Sequence, residues 1–537
     1  MYEQHFLTPA TAKIGSRRKK RGWFLTPLNV SLEDAKKGKL KISQNLASCV
    51  VLLAQNLDLC NNKKRISLDL SNFKKIKNLD LRKGAAALKR KIYTNMLDWK
   101  QQEAGKSALL LQGARRVGKS YIAEAFARNE YSSHILIDFN RTTQEVRDMF
   151  LHDIDNLDLF FLKLSTYYNV KLKPRDSLII FDEVQLFPRA RSVIKYLVQD
   201  GRYDYLETGS LLSIKENVKD ILIPSEEEQL NLYPMDFEEF LWATGNETMM
   251  QIIRECFNRL EPLGDALHRK AMDAFRQYLI VGGMPQAVET YVKSGDFEKT
   301  DTVKRRILNL YRDDIQKHAR GYSLKAKAVF DELPSQLKNQ NRHFKLSALK
   351  EGARYSEYRE PLFWLSDAMI VNCCYNATEP VFGLRLNQDR TILKCYMADT
   401  GLLVSHAFDE KGIVQEEVYK KLLLDKLEVN MGMVMENVVA QMLTASGHKL
   451  YFYTNADREH KENRMEIDFL IAKNKITNRH NISPIEVKSS KGYALSSLKK
   501  FMIKFNEQLH VPYVLHTGDV KEENGIVYLP LYMAMLL

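Results

Sequence analysis

The chain has 537 residues, of which 45% are hydrophobic and 27% are charged, with a formal net charge of +13. This length predicts about three or four domains with ordinary hydrophobic cores. No apolar run reaches the roughly 18 residues of a membrane helix and no signal peptide opens the chain, so we expect a cytoplasmic protein without a membrane partner. The six cysteines form no CxxC pair, which argues against a zinc centre and suits a reducing compartment.

The positive charge is concentrated in residues 1–87. This segment holds 18 Lys and Arg against 6 Asp and Glu, so it carries +12 while the remaining residues carry +1. One interpretation is an arm that binds nucleic acid or an acidic partner. The interpretation we favour is a solvated, partly disordered extension that is separate from the rest of the chain.

The first strong pattern is a phosphate-binding loop between a strand and a helix. An amphipathic helix is predicted from Leu88 to Lys100, and a buried strand from Ala108 to Leu111. Gly113 to Ser120 then fits G-x-x-x-x-G-K-[ST], and a helix follows from Lys119 to Arg128. In such a loop backbone N–H groups point at the phosphates, the lysine reaches the β- and γ-phosphates, and the serine binds Mg²⁺. The predicted nucleotide-binding residues are Gly113, Ala114, Arg115, Arg116, Val117, Gly118, Lys119, Ser120 and Tyr121, and the alternative is an ordinary glycine turn.

Two adjacent carboxylates end a second buried strand, Ser177 to Glu183. A parallel strand would deliver Asp182 and Glu183 to its carboxyl end, where ligands bind in open α/β sheets. We expect Asp182 to hold Mg²⁺ together with Ser120, and Glu183 to be the general base that activates water. The alternative is a strand that ends in a polar turn.

Further strands and helices alternate around these two patterns. The strand Tyr203 to Ser210 ends in Thr208 and Ser210, whose hydroxyls suit a sensor of the γ-phosphate or a group that orients water; a plain turn is equally compatible. The other predicted elements here are a strand at His134–Phe139 and helices at Thr143–Tyr168 and Ala190–Gln199.

A second group of chemically competent residues lies near the end of the sequence. A predicted helix carries Glu436, one strand carries Asp468, and another carries Glu486 and Lys488. Because strand side chains alternate, Glu486 and Lys488 share a face. The carboxylates would hold a second Mg²⁺ or Mn²⁺, and Lys488 would help to activate water or bind phosphate. A surface ion pair of Glu486 with Lys488 would give the same pattern.

Two later segments carry a resemblance to a known family. The phosphate loop, Leu-Ile-Ile-Phe-Asp-Glu and Thr-Gly-Ser are followed by Leu232–Phe240 (Leu-Tyr-Pro-Met-Asp-Phe-Glu-Glu-Phe) and by Tyr278–Pro285, which ends in Gly-Gly-Met-Pro. From about Leu88 onward the chain resembles prokaryotic AAA-family ATPases that have a C-terminal domain of unknown function. Residues 1–87 are not covered by this resemblance.

The resemblance implies an α/β fold with several parts. A P-loop NTPase of the AAA type with a parallel sheet would be followed by a helical lid, a winged helix and a restriction-endonuclease-like domain. The expected ranges are 88–240 for the ATPase, 241–321 for the lid, 322–425 for the winged helix and 426–537 for the nuclease-like domain. DNA or RNA contact by the last two domains is one expectation, and contact with a protein partner is another.

The arginine that usually completes such an active site is not evident. AAA-type hydrolysis usually takes an arginine from a neighbour to stabilise transition-state charge, so a homo-oligomer is one expectation. Relatives often carry it shortly before the Tyr-Pro segment, where this chain has Glu226-Glu227-Glu228-Gln229. Arg115, Arg116 and Arg312 are the candidates, and ATP binding is therefore better supported by the sequence than hydrolysis.

The sequence thus predicts an ATPase that uses ATP and Mg²⁺ and whose nucleotide state repositions its C-terminal domains. One alternative is an ATP-gated, metal-dependent nuclease that acts on DNA or RNA. The other is a nucleotide-dependent switch that binds a protein partner and keeps an inactive nuclease fold.

Overall fold

A computed structural model describes residues 88–537, with gaps at 104, 211–224, 320, 338–343, 345–348, 382, 409–430, 458, 473–480 and 491. The basic extension 1–87 lies outside the described residues.

The nucleotide-binding half alternates strands and helices. Its strands are β1 (Ala108–Gln112), β2 (Ser133–Asp138), β3 (Ser177–Asp182), β4 (Asp204–Gly209) and β5 (Glu227–Asn231). Its helices are α1 (Ile92–Gln102), α2 (Lys119–Glu130), α3 (Gln144–His152), α4 (Leu157–Tyr168), α5 (Pro188–Ser192) and α6 (Ile194–Asp200). β1 and β3 are buried along their whole length, as their apolar runs predict.

These strands form a parallel sheet in the order β2-β3-β4-β1-β5. The carboxyl ends of β1 and β4 are adjacent, because Leu111 pairs with Thr208 and Gln112 with Gly209. β3 lies on the other side of β4. The loops that follow β1, β3 and β4 therefore open at one edge of the sheet, which is where open α/β sheets bind their ligands.

Two predicted helices are divided in the structure. The expected helix over residues 143–168 is α3 and α4, since the side chain of Asn156 caps a new helix by accepting a hydrogen bond of 3.1 Å from Leu159 N. The expected helix over residues 190–199 is α5 and α6.

A helical segment follows the sheet. It comprises α7 (Phe237–Ala243), α8 (Glu247–Arg259), α9 (Asp265–Val281), α10 (Pro285–Ser294), α11 (Phe297–His318), α12 (Ser323–Glu332) and α13 (Tyr355–Asp367). Asp236 and Glu239 form a capping box at the start of α7. Among the helices of the described ranges, none combines the length and the apolar character that crossing a membrane requires.

The last part of the chain builds one mixed sheet with covering helices. Its strands are β6 (Val371–Ala377), β7 (Gln388–Met397), β8 (Tyr451–Asn455), β9 (Met465–Ala472), β10 (Ile482–Val487), β11 (Tyr513–His516), β12 (Lys521–Glu523) and β13 (Ile526–Pro530). Its helices are α14 (Thr400–Ala407), α15 (Met431–Ala445) and α16 (Ser496–Lys504). The strand order is β12-β13-β11-β10-β9-β8-β6-β7.

The domain boundary expected between residues 425 and 426 does not separate these strands. β6 and β7 precede it, yet β6 pairs in parallel with β8 and thereby joins the C-terminal sheet. The winged helix and the restriction-endonuclease-like fold stay predictions. Ala86–Leu537 form one compact unit, so the C-terminal sheet packs together with the ATPase half.

Candidate functional site

The phosphate loop connects the end of β1 to the start of α2. Gly118, directly before α2, has φ of 93°, a left-handed conformation that glycine adopts without cost. Gly113 has a different reason to be glycine, because a Cβ there would lie 2.4 Å from the carbonyl oxygen of Leu232. The local sequence thus lets the loop turn tightly over the sheet and places the free N–H groups of α2 at its mouth.

Lys119 is buried within this loop. Its Nζ donates hydrogen bonds to the carbonyl oxygens of Gly113 at 3.0 Å and Ala114 at 3.1 Å. Burial lowers the pKa of the Lys119 ammonium, and the nearby carboxylates of Glu183 and Asp182 oppose that shift. The ammonium is therefore held by the loop that would cradle the phosphates.

Asp182 lies at the centre of a group of hydroxyls. Its Oδ1 accepts a hydrogen bond of 2.8 Å from Ser120 Oγ and another from Thr208 Oγ1. Burial raises the pKa of Asp182, and the two hydroxyl donors act against that rise. Hydroxyl and carboxylate oxygens are the donors that Mg²⁺ takes from this type of loop. Ser120 and Asp182 therefore fit the metal role predicted for them.

Glu183 follows Asp182 in a left-handed backbone conformation with φ of 54°. This conformation is uncommon for a residue other than glycine. Its backbone N–H donates to Thr208 Oγ1 at 3.4 Å, and its side chain accepts a hydrogen bond from Gln185 Nε2. Thr208 thus contacts both acidic residues, and Gln185 holds the carboxylate of Glu183. Ser210 lies just beyond β4 and is half-buried.

An arginine that precedes α1 stabilises the phosphate loop through hydrogen bonds. Arg90 is buried, and its guanidinium donates to the carbonyl oxygen of Val117 at 2.9 Å, to that of Tyr233 at 2.6 Å and to Glu239 Oε1 at 3.1 Å. Burial raises the pKa of Glu239, and the Arg90 charge opposes that rise. Arg90 therefore ties the phosphate loop to the cap of α7.

The outer side of the loop contacts α11. Arg115 Nη1 lies 2.6 Å from Asp314 Oδ1, and the hydroxyl of Tyr311 donates to the carbonyl oxygen of Arg115 at 3.0 Å. Arg116 is exposed, with φ of 71°, and Tyr121 is 52% exposed. The loop therefore touches the helical segment directly.

The remaining candidate for the arginine finger is held elsewhere. Arg312 Nη2 lies 3.3 Å from His406 Nδ1, and its Nε lies 3.6 Å from Asp331 Oδ1. A finger from a neighbouring copy of the chain stays a prediction.

The Tyr-Pro and Gly-Gly-Met-Pro segments meet in a buried junction. Met235 N donates to Gly283 O at 2.7 Å, and Gly283 N donates to Asp399 Oδ2 at the start of α14. The hydroxyl of Tyr278 donates to Met235 O at 2.7 Å and accepts from Gln441 Nε2 on α15 at 2.9 Å. These bonds join the ATPase half, the helical segment and the C-terminal sheet. The Tyr-Pro and Gly-Gly-Met-Pro segments therefore hold the three parts together.

The four residues predicted at the second site are placed near one another. Asp468 Oδ2 accepts a hydrogen bond of 2.8 Å from the backbone N–H of Val487, the residue between Glu486 and Lys488. Lys488 Nζ lies 2.5 Å from Glu486 Oε2. Glu436 and Asp468 are both buried, and each has an oxygen close to Nζ of Lys394, at 3.5 Å and 3.6 Å.

Sequence reasoning missed several of these residues. Lys394 has a recognisable signal, because it is the one charged residue in the otherwise apolar end of β7, Ile392 to Met397. Arg90 and Gln185 have no such signal. The role of Arg90 depends on a contact with a distant segment, and that of Gln185 depends on the local turn that brings it to Glu183.

Three segments match known family models. Residues 105–241 match an AAA domain, residues 431–533 match a domain of unknown function (DUF4143), and residues 272–411 match another domain of unknown function (DUF8612). Together with the parallel sheet and its phosphate loop, the first match supports an AAA-type nucleotide-binding ATPase. The second bears out the predicted C-terminal domain of unknown function. No curated protein matches the chain.

Several solved structures are similar to the chain at low identity. The Thermotoga maritima RuvB Holliday junction branch migration motor is 15% identical, over 55% of this chain and 90% of its own, with a TM-score of 0.25. The Drosophila ORC bound to DNA is 13% identical, over 64% and 98%, with a TM-score of 0.26. PCH-2 of C. elegans is 15% identical, over 40% and 65%, with a TM-score of 0.22.

Proposed function

We propose that this protein binds ATP with Mg²⁺ at the phosphate loop and hydrolyses it. Lys119 would neutralise charge on the β- and γ-phosphates, Ser120 and Asp182 would hold Mg²⁺, and Glu183 would take a proton from the attacking water. Thr208 would align the two acidic residues. The observation that supports this assignment most strongly is the connected set of hydrogen bonds Ser120–Asp182–Thr208–Glu183 beside Lys119.

The role of Glu183 is tested by Glu183→Gln. General-base catalysis contributes about 10²- to 10⁴-fold, so we expect ATP turnover to fall by that factor while nucleotide binding is retained. Glu289→Gln is a matched control, because Glu289 is an exposed helical residue paired with Lys293 at 2.5 Å. Unchanged turnover in Glu183→Gln would contradict the assignment.

We further propose that the nucleotide state acts on the helical and C-terminal parts. The support is direct contact, since Arg115 and Tyr311 join the phosphate loop to α11. Hydrogen exchange of α11 amides measures the effect. We expect ATP with Mg²⁺ to change their protection in the native chain but not in Lys119→Ala. Equal protection with and without ATP in the native chain would contradict this coupling.

We propose that the C-terminal module does not cut nucleic acid. Lys394 stands among the carboxylates that would have to bind the metal of an ATP-gated nuclease. The test is cleavage of linear and circular DNA and of RNA with Mg²⁺ or Mn²⁺, with and without ATP, beside Glu486→Ala. Cleavage that is lost in Glu486→Ala would replace this proposal by the nuclease alternative.

A further inference from the structure

Lys394 is a lysine that the fold removes from water. It lies on β7 and its side chain is 1% exposed. A charged ammonium is rarely buried to this extent unless anions surround it, because the loss of hydration is expensive. The residues around its Nζ therefore decide what this position does.

Three carboxylates surround the ammonium. Lys394 Nζ lies 3.0 Å from Glu466 Oε1, 3.5 Å from Glu436 Oε2 and 3.6 Å from Asp468 Oδ1. These acidic residues come from α15 and from β9, so the cluster depends on the tertiary fold and not on one sequence motif. The hydroxyl of Tyr396 also donates to Glu436 Oε2 at 3.1 Å.

The cluster continues into the predicted metal site. Val487 N donates a hydrogen bond of 2.8 Å to Asp468 Oδ2. In the neighbouring residue, Glu486, Oε2 accepts a hydrogen bond of 2.5 Å from Lys488 Nζ. The four carboxylates of the cluster thus face two ammonium groups. Lys488 was expected from the sequence, whereas Lys394 comes from a strand that precedes the expected nuclease-like domain.

This arrangement does not fit a bound divalent ion. A metal would need several carboxylate oxygens converging at about 2.0–2.6 Å. Two of the predicted ligands, Glu436 and Asp468, instead converge on Lys394 Nζ at ion-pair distances of 3.5 Å and 3.6 Å. An ammonium at that point occupies the volume and supplies the positive charge that a metal would otherwise bring.

We propose that Lys394 is a built-in cation that takes the place of the metal ion and closes this carboxylate site to Mg²⁺ and Mn²⁺. The proposal is independent of ATP hydrolysis, because its residues lie outside the phosphate loop. A purely structural ion pair would leave no latent metal site behind. If Lys394 takes the place of a metal ion, its removal should open a metal site.

The experiment is a Mn²⁺ titration of the full chain without nucleotide, followed by the electron paramagnetic resonance signal of free Mn²⁺. Asp182→Asn serves as the background throughout, so that the phosphate-loop site does not contribute. We expect the Asp182→Asn protein, which keeps Lys394, to leave the Mn²⁺ signal unchanged. Adding Lys394→Met should give saturable Mn²⁺ uptake, and adding Asp468→Asn to that variant should abolish it.

Two results would overturn the proposal. One is Mn²⁺ uptake by the chain that keeps Lys394, if Asp468→Asn removes that uptake. The other is a folded Lys394→Met variant that takes up no Mn²⁺. Lys394→Gln replaces Lys394→Met if the latter does not fold, because its amide can still donate hydrogen bonds to the carboxylates. The titration of the chain that keeps Lys394 tests closure of the site without either variant.

Discussion

Gly283 sits where the ATPase half meets the helical segment, and an added methyl group has no room there. A Cβ on Gly283 would lie 2.0 Å from Met235 O and 2.8 Å from Met235 N, whereas ordinary contacts of this kind begin at 3.4 Å. Both neighbours are backbone atoms, so no side-chain rotation can relieve the overlap. Gly283→Ala must therefore push the two backbones apart.

The size of the effect follows from what the separation breaks. Overpacking of a buried site costs about 1–3 kcal/mol. Separation also weakens the Met235 N–Gly283 O and Gly283 N–Asp399 hydrogen bonds, each of which contributes about 1 kcal/mol. We therefore expect Gly283→Ala to lower the free energy of unfolding by about 3–5 kcal/mol.

The assay is urea unfolding followed by tryptophan fluorescence, with Gly492→Ala as the matched control. Gly492 is exposed, and nothing lies within 4 Å of its Cβ position. Neither glycine has a positive φ, so the comparison isolates the overlap from backbone strain. The control should change stability by less than about 0.5 kcal/mol. Equal unfolding midpoints for the two variants would refute the packing argument.

Two further predictions concern buried cations. Arg90→Met leaves the buried Glu239 without the guanidinium that pairs with it at 3.1 Å, so stability should fall by about 3–5 kcal/mol and nucleotide affinity should fall with it. The exposed Lys89→Ala should cost about 0–1 kcal/mol, and equal losses in urea unfolding would contradict this contrast. Burial lowers the pKa of Lys304 to about 8 from 10.5, so the unfolded chain binds more protons between these values. Over that range, native stability should rise with pH relative to Lys304→Met, and parallel pH profiles would contradict this.

The nucleotide site could be predicted from the sequence because the residues that define it lie in short continuous segments. Residues Gly113 to Ser120 carry the spacing of the loop, and the apolar run before Asp182 predicted β3, which ends one residue earlier than expected because Glu183 begins a turn. The partners of Asp182 were only partly predictable. Thr208 was expected to act at this site, but its contacts with both acidic residues depend on the pairing of β3 with β4.

Other features depend on contacts that no local pattern reports. β5, Glu227–Asn231, has no apolar alternation and became a strand through parallel pairing with β1. Lys394 joins the predicted acidic residues because β6 and β7 belong to the C-terminal sheet. Cytoplasmic location, nucleic-acid contact and a homo-oligomer stay predictions.

The most direct test of the central claim is binding of a fluorescent ATP analogue to the native chain and to Lys119→Ala. Lys119 is held inside the loop by the Gly113 and Ala114 carbonyl oxygens, so its removal leaves the rest of the loop without the charge that phosphates require. We predict saturable, Mg²⁺-dependent binding to the native chain, with loss of that binding in Lys119→Ala. Equal affinity in the two proteins would contradict the assignment of this loop as the ATP site.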